Sequence, residues 1–213
     1  MFIELVDALR CPNAHEESWL VASANRMEAR HIVSGTLGCP VCRAEYPIEQ
    51  GVVDFRRSRA GPSADGPRAT TDCHPERSEG SAFRLAALLN LSDASGFAVL
   101  LGDWGALAHE LSATVETPLI AVDPPEHIFG APGISVLRSD GDVPLANNVA
   151  RAIALDARAP TAVRVVKQKG RVVGAIDVAV PDDVTELARD EDVWVGERQS
   201  LASPLIALHV RRV

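Results

Sequence analysis

The chain has 213 residues, of which 46% are apolar, and a formal charge of −8 at pH 7. This length is enough for one compact domain and a small module, and the acidic balance leaves no broad basic face for nonspecific binding to nucleic acid. No apolar run approaches the roughly 20 residues of a membrane helix, and acids stand near residue 1 where a signal peptide carries basic residues. We therefore expect a cytoplasmic protein that does not enter a membrane.

Composition divides the chain into three parts. Residues 1–57 carry three of the four cysteines and several short apolar runs. Residues 58–82 are rich in proline, glycine, serine and charge, with almost no large apolar side chain to offset the entropy of ordering them, which is typical of a flexible linker. In residues 83–213, β-type apolar runs alternate with helical stretches, as in a sheet built from βαβ units. The sequence thus predicts a small β-rich module, a linker and an α/β domain.

The N-terminal module contains two candidate pairs of metal ligands. "CPNAH" supplies Cys11 and His15, and "CPVC" supplies Cys39 and Cys42, with two predicted strands between them. Two such turns held by a small sheet are typical of a tetrahedral zinc site, and a metal would supply folding energy to a module with little core. Ala14 stands where a cysteine would complete the first pair. Two interpretations stay open: a Cys3His zinc site, or a ribbon that has lost its metal.

These motifs resemble a known family. "LVDALRCP" and "LGCPVCRAEYPIEQGVVDF" resemble the small zinc-ribbon proteins that bind and activate methyltransferases acting on tRNA, rRNA and translation factors, and that also occur fused to such enzymes. The resemblance covers residues 1–55 and is most specific in "CPVCRAEYPIEQGV". It implies a ribbon fold, although Ala14 departs from the family pattern at one ligand position.

The α/β part is predicted to contain one long helix near its start and about seven strands. "FRLAALLNL" has apolar residues at helical spacing and predicts a helix over residues 83–91. Continuous apolar runs predict buried parallel strands at residues 97–102, 117–123, 133–140, 150–156 and 169–180. "DDVTELAR", residues 182–189, is predicted to be a helix, and "DVWVGERQ" and "SPLIALHVRR" are predicted to form a final antiparallel pair of strands.

The turn after the first of these strands, "GDWGALA", is a candidate nucleotide loop. Gly102 ends that strand, and Asp123 ends the next one at the separation at which an acid reaches a ribose hydroxyl. Asp140, at the end of the third strand, is placed to meet an adenine amino group. Trp104 stands where a second glycine is expected, so its indole would obstruct the pocket. The alternative is a one-residue shift that turns Gly105 towards the cofactor and Trp104 outward.

The order of these elements resembles the class I methyltransferases that use S-adenosylmethionine, with five parallel strands followed by an antiparallel pair. The resemblance covers residues 83–213 and implies a Rossmann-like sheet. In that family pattern, Gly102 matches the first glycine of the cofactor loop, Asp123 the acid that holds the ribose and Asp140 the acid beside adenine. No catalytic base is matched, so the catalytic residues stay unknown.

Two functions from different classes follow. In the first, the chain is a degenerate methyltransferase-like protein, a pseudoenzyme that acts as a noncatalytic scaffold or partner for another protein; Trp104 and the short chain favour it. In the second, it is an active S-adenosylmethionine-dependent methyltransferase with its activator fused in cis, acting on RNA or a translation protein; Asp123 and Asp140 favour it. Contact with RNA is expected only within a complex.

Three other residues draw attention as candidates. His31 is a reserve metal ligand, although a solvated strand histidine is the favoured interpretation. Trp194 is predicted to be a core residue of its strand. Asp156 borders a strand at the edge where active sites of open sheets form.

Overall fold

The computed structural model describes residues 1–56, 78–139 and 141–200. The helices are α1 (Ser78–Leu88) and α2 (Ala108–Ser112), and 3-10 helices cover Ile3–Ala8, Gly102–Leu107 and Pro160–Val165. The strands are β1 (Val21–Glu28), β2 (His31–Gly38), β3 (Glu45–Glu49), β4 (Val52–Asp54), β5 (Ala98–Leu101), β6 (Leu119–Val122), β7 (Ile134–Arg138), β8 (Ala150–Leu155), β9 (Val166–Ala175), β10 (Val184–Arg189) and β11 (Val193–Arg198). Neither α-helix has the length and apolar character needed to cross a bilayer.

These strands form one mixed sheet in the order β1-β2-β3-β4-β7-β6-β5-β8-β9-β11-β10. From β7 to β9 the neighbours are parallel, and β11 runs antiparallel to both β9 and β10. The order therefore reverses between β5 and β8, as in doubly wound sheets, and ends in an antiparallel pair. The predicted Rossmann-like, methyltransferase-type fold is confirmed.

The N-terminal module continues this sheet. Strands β1 to β4 form an antiparallel meander, and β4 pairs in parallel with β7, with Val53 opposite Leu137. The backbone N–H of Phe2 donates a hydrogen bond of 3.0 Å to Ser135 Oγ in β7. The segments predicted as a ribbon module and an α/β domain thus share one sheet and one of its buried clusters.

The two faces of the sheet are covered differently. Helices α1 and α2 cover one face, where Leu85, Leu89 and Leu111 pack in one buried cluster with the strands. The other face is covered by the N-terminal segment, which places Leu5 and Leu9 in a second buried cluster. The described residues of the crossovers between β7 and β9 form no α-helix. Residues 1–9 therefore cover this face in place of the helices of a doubly wound fold.

One predicted helix is wrong. Residues 182–189 contain β10, which pairs with β11 from Val184 opposite Arg198 to Arg189 opposite Trp194. Only Val184 of this strand is buried, so a helix there would have no apolar face to pack. Pairing with β11 decides the local structure, since the segment's own propensity is weak.

The other element predictions are largely confirmed. Helix α1 begins at Ser78, so residues 78–82, predicted as part of the linker, are helical, and Ala82 is buried. Trp194 is fully buried and its Nε1 donates a hydrogen bond of 2.7 Å to Val178 O, which confirms its core role. The predicted strand "SPLIALHVRR" lies outside the described residues.

Candidate functional site

Four predicted metal ligands converge next to β2 and β3. The donor atoms of Cys11, His15, Cys39 and Cys42 all lie within 4.8 Å of one another. Cys39 and Cys42 sit on the turn between β2 and β3, which is closed by a hydrogen bond of 2.9 Å from Arg43 N to Cys39 O. The chain after the first 3-10 helix brings the other two ligands to this turn.

The donor atoms lie close to the spacing of a tetrahedral ligand set. The Sγ atoms of Cys11 and Cys42 are 3.7 Å apart, and His15 Nε2 lies 3.2 Å from Cys11 Sγ and 3.4 Å from Cys39 Sγ. Around a zinc ion with Zn–S of about 2.3 Å and Zn–N of about 2.1 Å, tetrahedral ligand pairs are about 3.6–3.8 Å apart. The four side chains therefore fit zinc. His15 supplies the fourth donor, which a cysteine at position 14 would otherwise supply.

Neighbouring groups orient these donors. His15 Nδ1 lies 2.6 Å from Glu16 O; a proton on Nδ1 donates to that carbonyl and leaves the lone pair of Nε2 directed at the sulfurs. Asn13 Nδ2 donates a hydrogen bond of 3.3 Å to Cys42 Sγ. His31 lies elsewhere, where its Nε2 accepts a hydrogen bond of 3.2 Å from Gly133 N, so it is not a ligand.

The thiols differ in their readiness to lose a proton. The hydrogen bonds from the Asn13 side chain and from the Ala44 backbone lower the pKa of Cys42 to about 6. Burial raises the pKa of Cys11. Zinc binds thiolates, so Cys42 is the thiol best prepared for metal near neutral pH.

The second candidate site is the crevice at the carboxyl ends of β5 and β8, where the strand order reverses and where open α/β sheets bind ligands. Gly102 follows β5 with a φ of +55°. A side chain at this position would collide with the Asp156 carboxylate and the Arg158 guanidinium, which form an ion pair of 2.6 Å. The space next to Gly102 is therefore filled by these two side chains.

Trp104 fills the crevice further. Its Nε1 donates a hydrogen bond of 2.9 Å to the carbonyl of Leu155, the last residue of β8. The indole thus reaches from the turn after β5 to the end of β8, across the point where the strand order reverses. Gly105 packs against Pro124, so the alternative with Gly105 facing a ligand and Trp104 turned outward is not observed.

Asp123 lies at the end of β6, as predicted. Its backbone has a φ of +49°, and its two carboxylate oxygens accept hydrogen bonds from Ser139 N (2.7 Å) and Ser139 Oγ (2.8 Å). The carboxylate that was predicted to hold a ribose is therefore hydrogen-bonded to the hydroxyl and the backbone amide of Ser139. Asp140 lies outside the described residues.

Comparisons with known proteins give likenesses of fold. No protein-family profile and no curated protein sequence matches this chain. A protein from Methanococcus maripaludis, provisionally assigned as an S-adenosyl-L-methionine-dependent methyltransferase, is 12% identical with a TM-score of 0.43, and the match covers 61% of this chain and 88% of that one.

Two further solved structures match smaller shares of the chain. A protein from Galdieria sulphuraria, provisionally assigned as a sarcosine dimethylglycine methyltransferase, is 14% identical with a TM-score of 0.37, over 47% of this chain and 46% of that one. YcgJ from Bacillus subtilis is 16% identical with a TM-score of 0.34, over 45% of this chain and 50% of that one. The strand order, and not these likenesses, defines the fold.

Sequence reasoning singled out Asp156 but missed Arg158, its partner in the crevice beside Trp104. Arg158 lies two residues after Asp156, and its backbone N–H also donates to that carboxylate at 2.8 Å. An aspartate at a strand end followed by an arginine two residues later is a local signal for such a pair. No comparable signal in the sequence links Asp123 to Ser139, which lie 16 residues apart, directly after β6 and β7.

Proposed function

We propose that this chain is a noncatalytic methyltransferase-like protein whose N-terminal ribbon holds a structural zinc ion, and that it acts as a scaffold or partner for another protein. The observation that carries the proposal is the filled crevice. Trp104 bridges to Leu155, and the Asp156–Arg158 pair stands next to Gly102. The chain's own side chains thus occupy the volume where a glycine-rich loop would approach S-adenosylmethionine.

The energetics of opening the crevice support this function. A ligand would have to displace the half-buried indole, which costs about 2 kcal/mol for its apolar surface, and to break its hydrogen bond, which costs about 1 kcal/mol more. A penalty of about 3 kcal/mol weakens binding by about 100-fold. The residues of this crevice therefore do not fit the cofactor.

The proposed zinc ion has a structural role. Four protein donors complete a tetrahedral set and leave no position for a water molecule or a substrate. Cys11 and His15 precede β1, whereas Cys39 and Cys42 join β2 to β3. A bound ion would therefore tie the start of the meander to its central turn.

Isothermal titration with S-adenosylmethionine and S-adenosylhomocysteine tests the proposal. We expect no binding to the zinc-replete protein at micromolar ligand. Trp104→Gly combined with Arg158→Ala serves as the matched variant in which the crevice is opened. Micromolar binding to the unmodified protein that disappears in Asp123→Ala would overturn the proposal and favour an active methyltransferase.

A further inference from the structure

A groove of about 930 Å³ runs over the outer part of the sheet, beside β3, β4 and the end of β7. Glu49 in β3 is paired with Val52 in β4, and Val52 is paired with Val136 in β7. These three residues therefore lie on the same face of the sheet. Val52 packs against the cluster that contains Leu111 of α2. The groove therefore lies on the face that α1 and α2 cover elsewhere.

The groove exists because one crossover has no helix. In a doubly wound sheet a helix normally connects neighbouring parallel strands and covers them. Between β6 and β7 the connection, residues 123–133, contains no helix. From this connection Ile128 is buried at the groove, and Phe129 is 52% exposed on its wall. The groove thus offers apolar surface that no element in the described part of the chain covers.

The groove carries a net negative charge, because it is lined by three carboxylates and two guanidinium groups. Glu45 and Glu49 are exposed on β3 and alternate with buried residues, so both carboxylates face the groove. Among the described residues, neither carboxylate has a hydrogen-bond or ion-pair partner. The groove's arginines are engaged: Arg56 pairs with Asp54 at 2.6 Å, and the Arg138 guanidinium donates to backbone carbonyl oxygens of the connection.

We propose that this groove binds an extended basic segment of a partner protein. Lysine or arginine side chains of that segment would pair with Glu45 and Glu49, and an apolar side chain between them would pack against Phe129 and Ile128. The chain's overall charge of −8 would steer such a segment towards it, whereas the phosphates of a nucleic acid would be repelled. This inference rests on the proposed scaffold role, because it names the chemistry of the partner.

Fluorescence anisotropy with short labelled peptides tests this site. The probe alternates lysine with leucine, and two control peptides carry glutamate in place of lysine or serine in place of leucine. We expect only the first to bind with micromolar affinity. Glu45→Gln with Glu49→Gln should weaken its binding about tenfold, and Phe129→Ser should weaken it to a similar extent through lost apolar contact.

A matched double variant, Glu116→Gln with Glu191→Gln, removes the same charge at exposed positions outside the groove and should leave the affinity unchanged. Equal weakening in both double variants, equal binding of the glutamate peptide, or no binding of the lysine peptide would each overturn the proposal. The cofactor titration is independent of this test. If the cofactor binds and the groove variants still weaken peptide binding, the proposed noncatalytic function is refuted but the proposed docking site is supported.

Discussion

Loss of the metal is expected to lower the stability of the whole sheet, which still unfolds in one step, and not to release the ribbon alone. Leu5, Leu9, Val53 and Phe55 are at most 3% exposed and lie in one cluster with residues of β5 to β8. At about 2 kcal/mol for each side chain, exposing them removes roughly 8 kcal/mol, which is comparable with the whole stability of a domain, about 5–15 kcal/mol. The α/β strands therefore cannot stay folded when the ribbon unfolds.

The size of the effect follows from linkage. A zinc ion present at a thousandfold excess over its Kd stabilises the folded state by about 4 kcal/mol. For a chain of this length, each kcal/mol shifts Tm by about 2–4 °C. Cys39→Ser, or a chelator, should therefore lower Tm by roughly 8–16 °C, and metal analysis should fall from one zinc ion per chain to none.

Calorimetry combined with hydrogen exchange measures this effect. We expect one transition before and after chelation, with the amides of β2 and β6 losing protection together. Cys73→Ser is the matched control, because Cys73 is not one of the four proposed ligands. An early transition in which β2 exchanges while β6 stays protected would refute the argument from the shared core.

Three further predictions concern stability. Trp194→Ala should cost about 3–5 kcal/mol in urea unfolding, and Trp194→Phe clearly less; equal costs would contradict the packing role. Hydrogen bonds from Ser95, and to a smaller extent one from Arg151, lower the pKa of Asp93 to about 2. The contribution of the ionised Asp93 carboxylate to the stability of the fold is therefore present above pH ~4 and is lost as the pH falls towards about 2. Asp93→Asn should flatten the pH dependence of stability in that window, and an unchanged slope would refute this. Deleting residues 58–76 should leave Tm unchanged, whereas a deletion that extends to residue 82 should lower it because it removes the start of α1; equal Tm values would contradict a packing role for that turn.

Much of this protein is determined by local sequence. Four-residue apolar runs such as those of β5 and β6 are buried on both faces, and a run of this kind predicts a parallel strand with no knowledge of its neighbours. The candidate metal ligands could also be predicted from local sequence, since Cys39 and Cys42 lie on one short turn, as do Cys11 and His15. Residue types and spacing within such turns are enough to predict a tetrahedral set.

Only the tertiary structure decided how these parts combine. β10 is a strand because β11 lies beside it, and the ribbon joins the α/β sheet because β4 meets the free edge of β7. Whether the crevice is filled depends on Trp104, Asp156 and Arg158, which follow the ends of β5 and β8. Trp104 and its hydrogen-bond partner Leu155 are more than 50 residues apart in the sequence. Spacing along the chain predicts which residues reach that edge of the sheet. Which of them fill it depends on side-chain packing between strands, and this is a property of the folded chain alone.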